Sequence, residues 1–435
     1  MFIGINLSVV GGLRSSTAVY NVNGLTPEVV ADFTRGFYRT GGATTTFADM
    51  FTFARASGAT YTDANGVLQT AASGVARVGN HVYDGSAWIN EGLLLESEAR
   101  TNLILQSSDF ATSWNKTNAT VSTNQIASPS GSVDADKIVS SAATASQAVD
   151  QAVTVTSLAS AHTASVFFKS AEFNYILVRL GDNTLSNFIQ ATFRSDTGVM
   201  VSTLNGGTGS LSASKIESVG GGWYRASVSG VPSSGGGTTA RLRIYVSHAD
   251  TTAATGDGTS GAYLWGAQLE LGSTRSSYIP TTTAAATRAA ETLTIAAAKM
   301  AYSATAMSMQ MDGTMTGATS TLGRWYSSAT AYITQSAGSS AFSFAQYGGG
   351  ALDTVTGGSF TSGVNVPFNV ASRHGSTFIN GAASGTALTA DTTPVALPDL
   401  SATNFSLGYA FMGNIGQFRQ WAADIGDTGI AEASA

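Results

Sequence analysis

Apolar and polar residues alternate along most of this chain, in runs such as RLRIYVSH and YILVRL. Successive side chains of a β-strand point to opposite faces of a sheet, so a period of two predicts strands, whereas a helix repeats its apolar positions about every 3.6 residues. Clusters of Gly, Ser and Thr separate the runs, and Asn380-Gly381 is a strong signal for a tight hairpin turn. The pattern predicts an all-β fold, with two tandem β-sandwich (jelly-roll) domains preceded by a small β-rich N-terminal region.

Length and charge narrow the kinds of protein that this chain can be. At 435 residues it exceeds the usual size of one hydrophobic core, so two or three domains are expected. The net charge of −6 and the lack of a basic run argue against nucleic acid as a partner. The absence of cysteine removes disulfides and thiolate chemistry, and it fits assembly in a reducing cytoplasm. No run of about eighteen apolar residues occurs, so membrane insertion is not expected.

Three regions are predicted along the chain. Residues 1–100 form an N-terminal anchoring or assembly region whose hairpins turn at 63–66 and 84–85, residues 101–285 form the first sandwich, and residues 286–435 form the second. Thr26-Pro27-Glu28 could open a short helix, and an extended segment is the alternative. Residues 1–50 are too apolar for a free tail, so we expect them to pack on another subunit or on the next domain. The first residues carry no basic group ahead of their apolar patch and make a poor signal peptide.

Several motifs resemble a module found in tail-fibre and spike proteins of tailed phages and gene transfer agents. They are RTNLILQSSDF, Trp114, GGGWYRASVS, GDGTSGAYLWGAQLELG and SSYIPTT, and the upstream segments FARASGATYTDANG and GLLLESEARTNLI extend the resemblance from about residue 50 to 285. The module is similar to jelly-roll carbohydrate-binding modules. Further on, HGSTFINGAASG and NIGQFRQWAADIGDTGIAEA resemble a concanavalin-type, laminin-G-like lectin sandwich. The resemblance implies a place on the virion and often glycan binding, although such folds also serve as inert spacers.

Alternation also assigns a candidate binding face to the first sandwich. In RLRIYVSH the side chains of Leu242, Ile244 and Val246 point one way and the polar ones the other, and in YLWGAQLEL we expect Tyr263, Trp265 and Leu269 to oppose Gln268 and Glu270. Aromatic rings can stack on the C–H faces of sugars, while Arg, Gln and Glu can bind hydroxyl groups. The candidate glycan-binding residues are Tyr175, Arg179, Arg243, Tyr245, Gln268 and Glu270. The alternative interpretation is an ordinary solvated sheet face or a subunit interface.

The sequence offers little for catalysis. A glycosidase needs two carboxylates flanking the scissile bond, one of them with a raised pKa. The nearest pairs are Asp134 with Asp136 and Glu96 with Glu98, and each is interpreted as solvated turn or edge charges. No nucleophile, phosphate-loop or dinucleotide motif occurs. We therefore predict a non-enzyme without a cofactor, and the one ion that the pattern allows is calcium, held near Asp109, Asp136 and Asp257.

These observations favour a virion structural protein: a fibre, spike or decoration subunit, assembled in the host cytoplasm and displayed on the virion surface. Its sandwiches would bind polysaccharide of the host cell surface or anchor other virion proteins. A homo-oligomer is expected, because virion appendages sit on symmetry axes. The alternatives are a polysaccharide depolymerase acting on host capsule, which needs a carboxylate pair in a cleft, and a bacterial surface adhesin, which needs an export signal.

Overall fold

The computed structural model describes residues 20–317 and 319–435. Its regular structure is almost entirely antiparallel β-sheet, which confirms the predicted fold class. The N-terminal elements are β1 (Val29–Asp32), β2 (Phe37–Thr40), β3 (Ala43–Thr45), α1 (Phe47–Met50), β4 (Phe51–Ala54), β5 (Ala59–Thr62), β6 (Leu68–Ala71), β7 (Arg77–Val78), β8 (His81–Tyr83), β9 (Trp88–Asn90) and β10 (Leu93–Glu96).

The middle of the chain forms a sandwich of two six-stranded sheets. Its strands are β12 (Asn115–Thr117), β13 (Ala119–Ala127), β14 (Val133–Ser140), β16 (Ala148–Thr154), β17 (His162–Ser170), β18 (Tyr175–Asp182), β19 (Phe188–Arg194), β20 (Val199–Gly206), β21 (Ser210–Ser218), β22 (Tyr224–Val231), β23 (Thr239–Ser247) and β25 (Gly261–Leu271), with a small ribbon of β15 (Thr144–Ala145) and β24 (Ala254–Thr255). The sheet orders are β12-β16-β23-β18-β19-β20 and β13-β14-β25-β17-β22-β21. The core lies between the sheets, and the predicted inward set of Leu242, Ile244 and Val246 is buried in it. We call residues 103–285 the inserted sandwich.

The other described parts of the chain, apart from two short hairpins, form a second, larger sandwich that we call the outer sandwich. Its C-terminal elements are β27 (Thr292–Ile295), a 3₁₀ turn (Ala297–Lys299), β28 (Ala306–Gly317), β29 (Ser320–Ser328), β30 (Ala331–Ala337), β31 (Ala341–Gly348), β32 (Ala351–Ser359), β33 (Gly363–Gly375), β34 (Ile379–Ala383), β35 (Thr386–Ala387), β36 (Phe405–Ala410), β37 (Met412–Trp421) and α2 (Gly426–Ala433). One sheet runs β3-β2-β1-β37-β28-β33-β34-β35, with β10 on β37 and β7 on β10, and the other runs β32-β31-β30-β29-β36-β27-β4. Met307, Met309 and Met311 point into the core between them.

The N-terminal segment completes the outer sandwich rather than standing apart. Strand β1 pairs with β37, with Val30 opposite Arg419, and β4 pairs with β27, with Phe51 opposite Ile295. Phe33 is buried in the same core as Trp325. Strands β1–β4, β7 and β10 of the region predicted as a separate unit at 1–100 therefore belong to the C-terminal sandwich, which corrects the predicted boundary at residue 100. The physical reason is that each sheet would otherwise expose apolar strand edges.

Two extended segments carry the chain into and out of the inserted sandwich. Strand β11 (Arg100–Asn102) leaves the outer sandwich after β10, and β26 (Ala286–Arg288) returns just before β27. The two pair antiparallel, with Arg100 opposite Arg288. Because entry and exit are hydrogen-bonded to each other, the inserted sandwich joins its host through a double connection.

The structure decides two local predictions. The segment after Pro27 is extended, as the strand Val29–Asp32, and not helical. The hairpin turn predicted at Asn380-Gly381 is wrong, because both residues lie inside β34 and the turn falls at Ser384 and Gly385, whose φ values are 48° and 78°. Gly381 is needed instead for packing, since a Cβ there would lie 1.9 Å from the ring of Phe344.

The prediction about a signal peptide concerns residues that lie outside the described part of the chain. Within residues 20–317 and 319–435, no helix is both long and apolar enough to cross a membrane.

Candidate functional site: an aromatic cleft between the sandwiches

Two hairpins of the N-terminal segment lie between the sandwiches and shape a cleft. They are β5-β6 and β8-β9, and their turns fall where the sequence predicts them. Asp63 accepts hydrogen bonds from the backbone N–H groups of Asn65 and Val67, and Asp84 does the same for Ser86 and Ala87. Such carboxylate-capped turns fix the hairpin tips, so the side chains on the strands are held in place.

Trp88 links a hairpin to the inserted sandwich. Its ring lies 5.2 Å from that of Tyr83, centroid to centroid. A Cβ on Gly66 would lie 2.2 Å from the indole, and one on Gly220 would lie 2.6 Å from it. Both glycines have positive φ values, 79° and 74°, so each is required by the backbone as well as by the contact with Trp88.

The cleft encloses a cavity of about 150 Å³. A cavity of about that size holds a six-membered ring such as benzene. Its wall combines aromatic side chains with amide, hydroxyl and charged groups. The aromatic members are Tyr61, His81, Tyr83, Trp88, Phe167 and Tyr278, and the polar members include Asn80, Asn365, Asn414, Glu217, Arg225, Arg275 and Ser277.

The floor of the cleft is tied together by hydrogen bonds that cross between distant parts of the chain. Asn80 donates to the side-chain oxygen of Asn414, at 2.9 Å, and accepts from the backbone N–H of Thr62. Asn365 donates to Glu217 at 3.0 Å, which joins the outer sandwich to the inserted one. Glu217 also pairs with Arg275. The wall is therefore built before a ligand arrives, which lowers the entropy cost of binding.

A buried ion cluster lies below the cleft, where the two sandwiches meet. Glu291 pairs with Arg55 at 2.6 Å and with Arg77 at 2.7 Å, and Glu96 pairs with Arg77 at 2.8 Å and with Arg288 at 2.9 Å. All five side chains are at most 4% exposed. Arg288 lies in the connecting ribbon and Arg77 in the hairpin region, so the cluster fixes the junction.

The charges around the cleft shift the pKa values of its buried groups in different directions. Burial opposes ionisation of Glu96, but the charges of Arg288 and Arg77 and the hydrogen bonds from Ser277 hold its pKa well below the usual value. Burial lowers the pKa of Arg225 to about 10, and the charge of Glu270 offsets this only in part. Among the described residues Arg225 has no ion pair, and it donates to the carbonyl of Ser276 and the hydroxyl of Ser165. A buried cation without a direct ion pair attracts ligand oxygens.

Four of the six sequence-predicted glycan-binding residues lie together, on β18 and β23 of the inserted sandwich. Arg179 is directly opposite Arg243, and its guanidinium carbon lies 5.3 Å from the ring centre of Tyr245. The face is occupied by its own contacts, however. Arg243 donates to Asp150 at 2.7 Å, Arg179 donates to Gln190 at 2.8 Å, and Tyr245 is only 2% exposed. The expectation that Tyr245 offers an open ring face is wrong, because Leu177 and Ala148 cover it. Tyr175, at the strand end, is half-buried beside Arg194.

The other two candidates, Gln268 and Glu270, lie in the opposite sheet and are fully buried. Gln268 donates to Glu270 at 2.7 Å, and Glu270 accepts from the backbone and hydroxyl of Ser276. Burial raises the pKa of Glu270, against those hydrogen bonds. They hold the segment 276–279 of the inserted sandwich and do not share a face with Arg243.

A β-bulge explains why the predicted side-chain alternation fails in this strand. Gly266 has a φ of 61°, and the pairing of β17 with β25 shifts between Ser165 and Phe167. The bulge adds one residue, so Leu269 joins Leu264 in the core, while Trp265 packs on the outer side with Tyr278.

The carboxylates considered for calcium or catalysis serve the local backbone. Asp136 accepts from the N–H groups of Phe110 and Asn124, Asp109 from that of Ala111, and Asp257 from those of Thr259 and Ser260. In the ranges 20–317 and 319–435, no group of three or more His, Cys, Asp or Glu residues is placed to hold a metal ion. Glu98 is exposed and pairs with Arg100, and Asp134 lies near Ser130.

Comparison with known proteins gives structural likeness only. No protein-family model matches the chain, and no curated protein matches it. Among solved structures it is similar to the CBM40 domain of a Ruminococcus gnavus IT-sialidase bound to α2,3-sialyllactose, with 12% identity and a TM-score of 0.26, covering 31% of this chain and 84% of that one. It is also similar to domains LG4-5 of the mouse laminin α1 chain, with 9% identity and a TM-score of 0.21, covering 74% of this chain and 87% of that one. TM-scores this low indicate neither common ancestry nor a shared function, and the fold class rests on the sheets described above.

Sequence reasoning missed the aromatic residues of the cleft. Tyr83 and Trp88 stand on either side of a predicted turn, so their pairing across the hairpin could have been derived from the register. The position of Trp88 against Gly220, more than a hundred residues later, has no local signal in the sequence.

Proposed function

We propose that this protein is a non-enzymatic structural subunit of a virion surface, a fibre, spike or decoration protein, that binds host-surface glycan in the cleft between its sandwiches. The observation that carries the glycan-binding part is the composition of the cleft wall, where the rings of Tyr61, Tyr83 and Trp88 stand beside asparagine amides and buried arginines. Ring faces suit the C–H surfaces of a sugar, and the amide and guanidinium groups suit its hydroxyl oxygens.

Support for the virion location comes from the sequence, since the tail-fibre resemblance spans about residues 50–285. The rigid architecture fits such a role. The ion cluster and the double connection hold the two sandwiches as one unit, as a display protein requires. The absence of catalysis is part of the proposal, because the carboxylates described above cap turns or neutralise arginines.

The binding test uses the full chain on an array of bacterial surface polysaccharides. Tyr83→Ala should weaken the signal of at least one bound polysaccharide tenfold or more, which corresponds to about 1.4 kcal/mol, because it removes a ring face from the cleft. Tyr83→Phe is the matched control and should keep binding, since the ring remains. Equal binding by wild type and Tyr83→Ala on every polysaccharide would remove the cleft from the proposal.

Two further measurements test the remaining parts. Immunogold labelling of purified particles with an antibody against this chain should mark the virion surface. Incubation of the protein with the polysaccharides that it binds should release no new reducing ends. Depolymerisation lost in Asp134→Asn or Asp136→Asn would instead establish the enzyme alternative.

A further inference from the structure

A row of aromatic side chains crosses the outer sandwich on the face that points away from its core. Tyr326, Tyr332, Tyr347 and Leu352 lie on four neighbouring strands, β29 to β32, and each is directly opposite the next in the register. The ring centroids of Tyr326 and Tyr332 are 5.8 Å apart, with 27° between the planes, and those of Tyr332 and Tyr347 are 5.5 Å apart. We call these residues, together with Arg324 and Tyr409, the tyrosine stripe.

Arg324 lies at one end of the stripe, between two rings. Its guanidinium carbon is 3.6 Å from the ring centre of Tyr326 and 4.3 Å from that of Tyr409. In the described part of the chain this guanidinium has no ion pair and makes no hydrogen bond, so its five N–H donors are available. The stacking on two rings holds it in place without using those donors.

Three members of the stripe are exposed to solvent. Tyr409 is 56% exposed, Leu352 is 48% exposed and Tyr326 is 36% exposed. Tyr332 and Tyr347, between them, are half-buried. Single exposed apolar residues are ordinary, but a row of adjacent rings that is exposed at several positions marks an interaction surface. Neighbouring strands are about 4.8 Å apart, so the row from Tyr326 to Leu352, which crosses three strand spacings, is roughly 14 Å long. Tyr409 extends the row beyond Tyr326.

We propose that the tyrosine stripe is a second glycan-binding surface, which takes an extended polysaccharide chain along the row of rings. Sugar rings would lie on the tyrosine faces, and their hydroxyl or carboxylate oxygens would accept hydrogen bonds from Arg324. The chemistry of the surface favours this occupant over a protein. Only one aliphatic side chain, Leu352, belongs to the stripe, its flanks are Ser327, Ser328, Gly349 and Gly350, and the free donors of Arg324 need acceptors.

The stripe differs from the cleft in the shape of ligand that it accepts. The cleft encloses a space for about one ring, whereas the stripe crosses four neighbouring strands on the outer face of a sheet. It would therefore bind internal segments of a long chain. This inference does not depend on the cleft, so the two can succeed or fail separately.

The test compares variants of the full chain on an array of bacterial surface polysaccharides. The double variant Tyr326→Ala/Tyr409→Ala should lose at least tenfold in binding to long chains and keep its melting temperature. Tyr326→Phe/Tyr409→Phe is the matched control, because it keeps both ring faces, and it should bind like the wild type. The cleft variant Tyr83→Ala should leave the stripe-dependent signals unchanged.

Two results would contradict glycan binding by the stripe. Identical array signals for the wild type and the double Ala variant, including no signal from either, would overturn the proposal. Sedimentation velocity at high concentration provides a second check: if the wild type dimerises and the double Ala variant does not, the stripe is a contact between copies of this chain and not a glycan site.

Discussion

Two outer sheet faces of this molecule carry the same residue types, arginine beside tyrosine, and differ in whether they are free. On the inserted sandwich, Arg243 has Asp150 directly opposite on the next strand and pairs with it, and Tyr245 is covered. On the outer sandwich, the cross-strand neighbours of Arg324 are Thr334 and Ser406. On the first face, the carboxylate opposite Arg243 occupies its guanidinium. On the second face, the neighbours of Arg324 are neutral, so its guanidinium stays available. Side-chain alternation places a residue outside the core, but its cross-strand partners decide whether it can bind anything.

The two faces lie on different sandwiches, which the ion cluster joins. We therefore expect the largest change in unfolding free energy from a substitution at this junction. Glu96→Gln removes a buried carboxylate from Arg77 and Arg288, and leaving such cations with one partner fewer should cost about 3–5 kcal/mol of unfolding free energy. Urea unfolding followed by tryptophan fluorescence measures this. Asp196→Asn is the matched control, since Asp196 and its partner Arg194 are 39% and 36% exposed, and it should change stability by less than about 0.5 kcal/mol. A similar effect of both variants would mean that the cluster does not hold the junction.

The difference in stability between the wild type and Glu96→Gln should also depend on pH. The folded pKa of Glu96 lies below its unfolded value, so its contribution to stability is present above about pH 4.5 and is lost as the pH falls below it. The difference in unfolding free energy between wild type and Glu96→Gln should therefore shrink from pH 5 towards pH 2. Taking the difference cancels opposing groups such as Asp312, whose pKa burial raises to about 6. A difference that stays constant over this range would contradict the assignment.

The closed face gives the next largest effect. Tyr245→Ala deletes a buried ring that packs on Leu177 and Ala148 and should lower the unfolding free energy by about 3 kcal/mol. It should leave polysaccharide binding on the array unchanged, because the ring is not accessible. Thermal melting measured beside array binding separates the two effects. Lost binding with unchanged stability would restore this face as a glycan site.

Much of the fold could be predicted from local pattern, and the exceptions have physical causes. Alternation correctly placed Leu242, Ile244 and Val246 in the core, because nothing interrupts β23. It failed across Gly266, where a bulge adds one residue and leaves Trp265 on the same face as Gln268 and Glu270 instead of opposite them. A glycine inside a strand pattern is a known sign of a bulge, so this error had a signal in the sequence.

The domain organisation had no such signal. The pairing of β1 with β37 joins residues nearly four hundred positions apart, and local periodicity carries no information about partners at that distance. The cleft depends on the same long-range contacts, since Asn80 meets Asn414 and Trp88 meets Gly220 only after the outer sandwich has closed around the insertion. The tyrosine stripe lay between these cases. Tyr326 and Tyr332 flank a hairpin turn, but the absence of a carboxylate beside Arg324 depends on which strands become its neighbours.

The smallest expected effect tests the open face. Tyr409→Ala removes a ring that is 56% exposed, so it should change the unfolding free energy by less than about 0.5 kcal/mol, as exposed substitutions usually do. Its effect on the neighbouring cation should be measurable nevertheless, because Arg324 loses one of the two rings between which it lies. Crystal structures or side-chain NMR of the variant should show a more mobile guanidinium at Arg324, while Arg243, held by Asp150, remains fixed and serves as the internal reference. A loss of stability approaching that of Tyr245→Ala would mean that Tyr409 supports the fold, as Tyr245 does. The outer sandwich would then not present an open surface at this position.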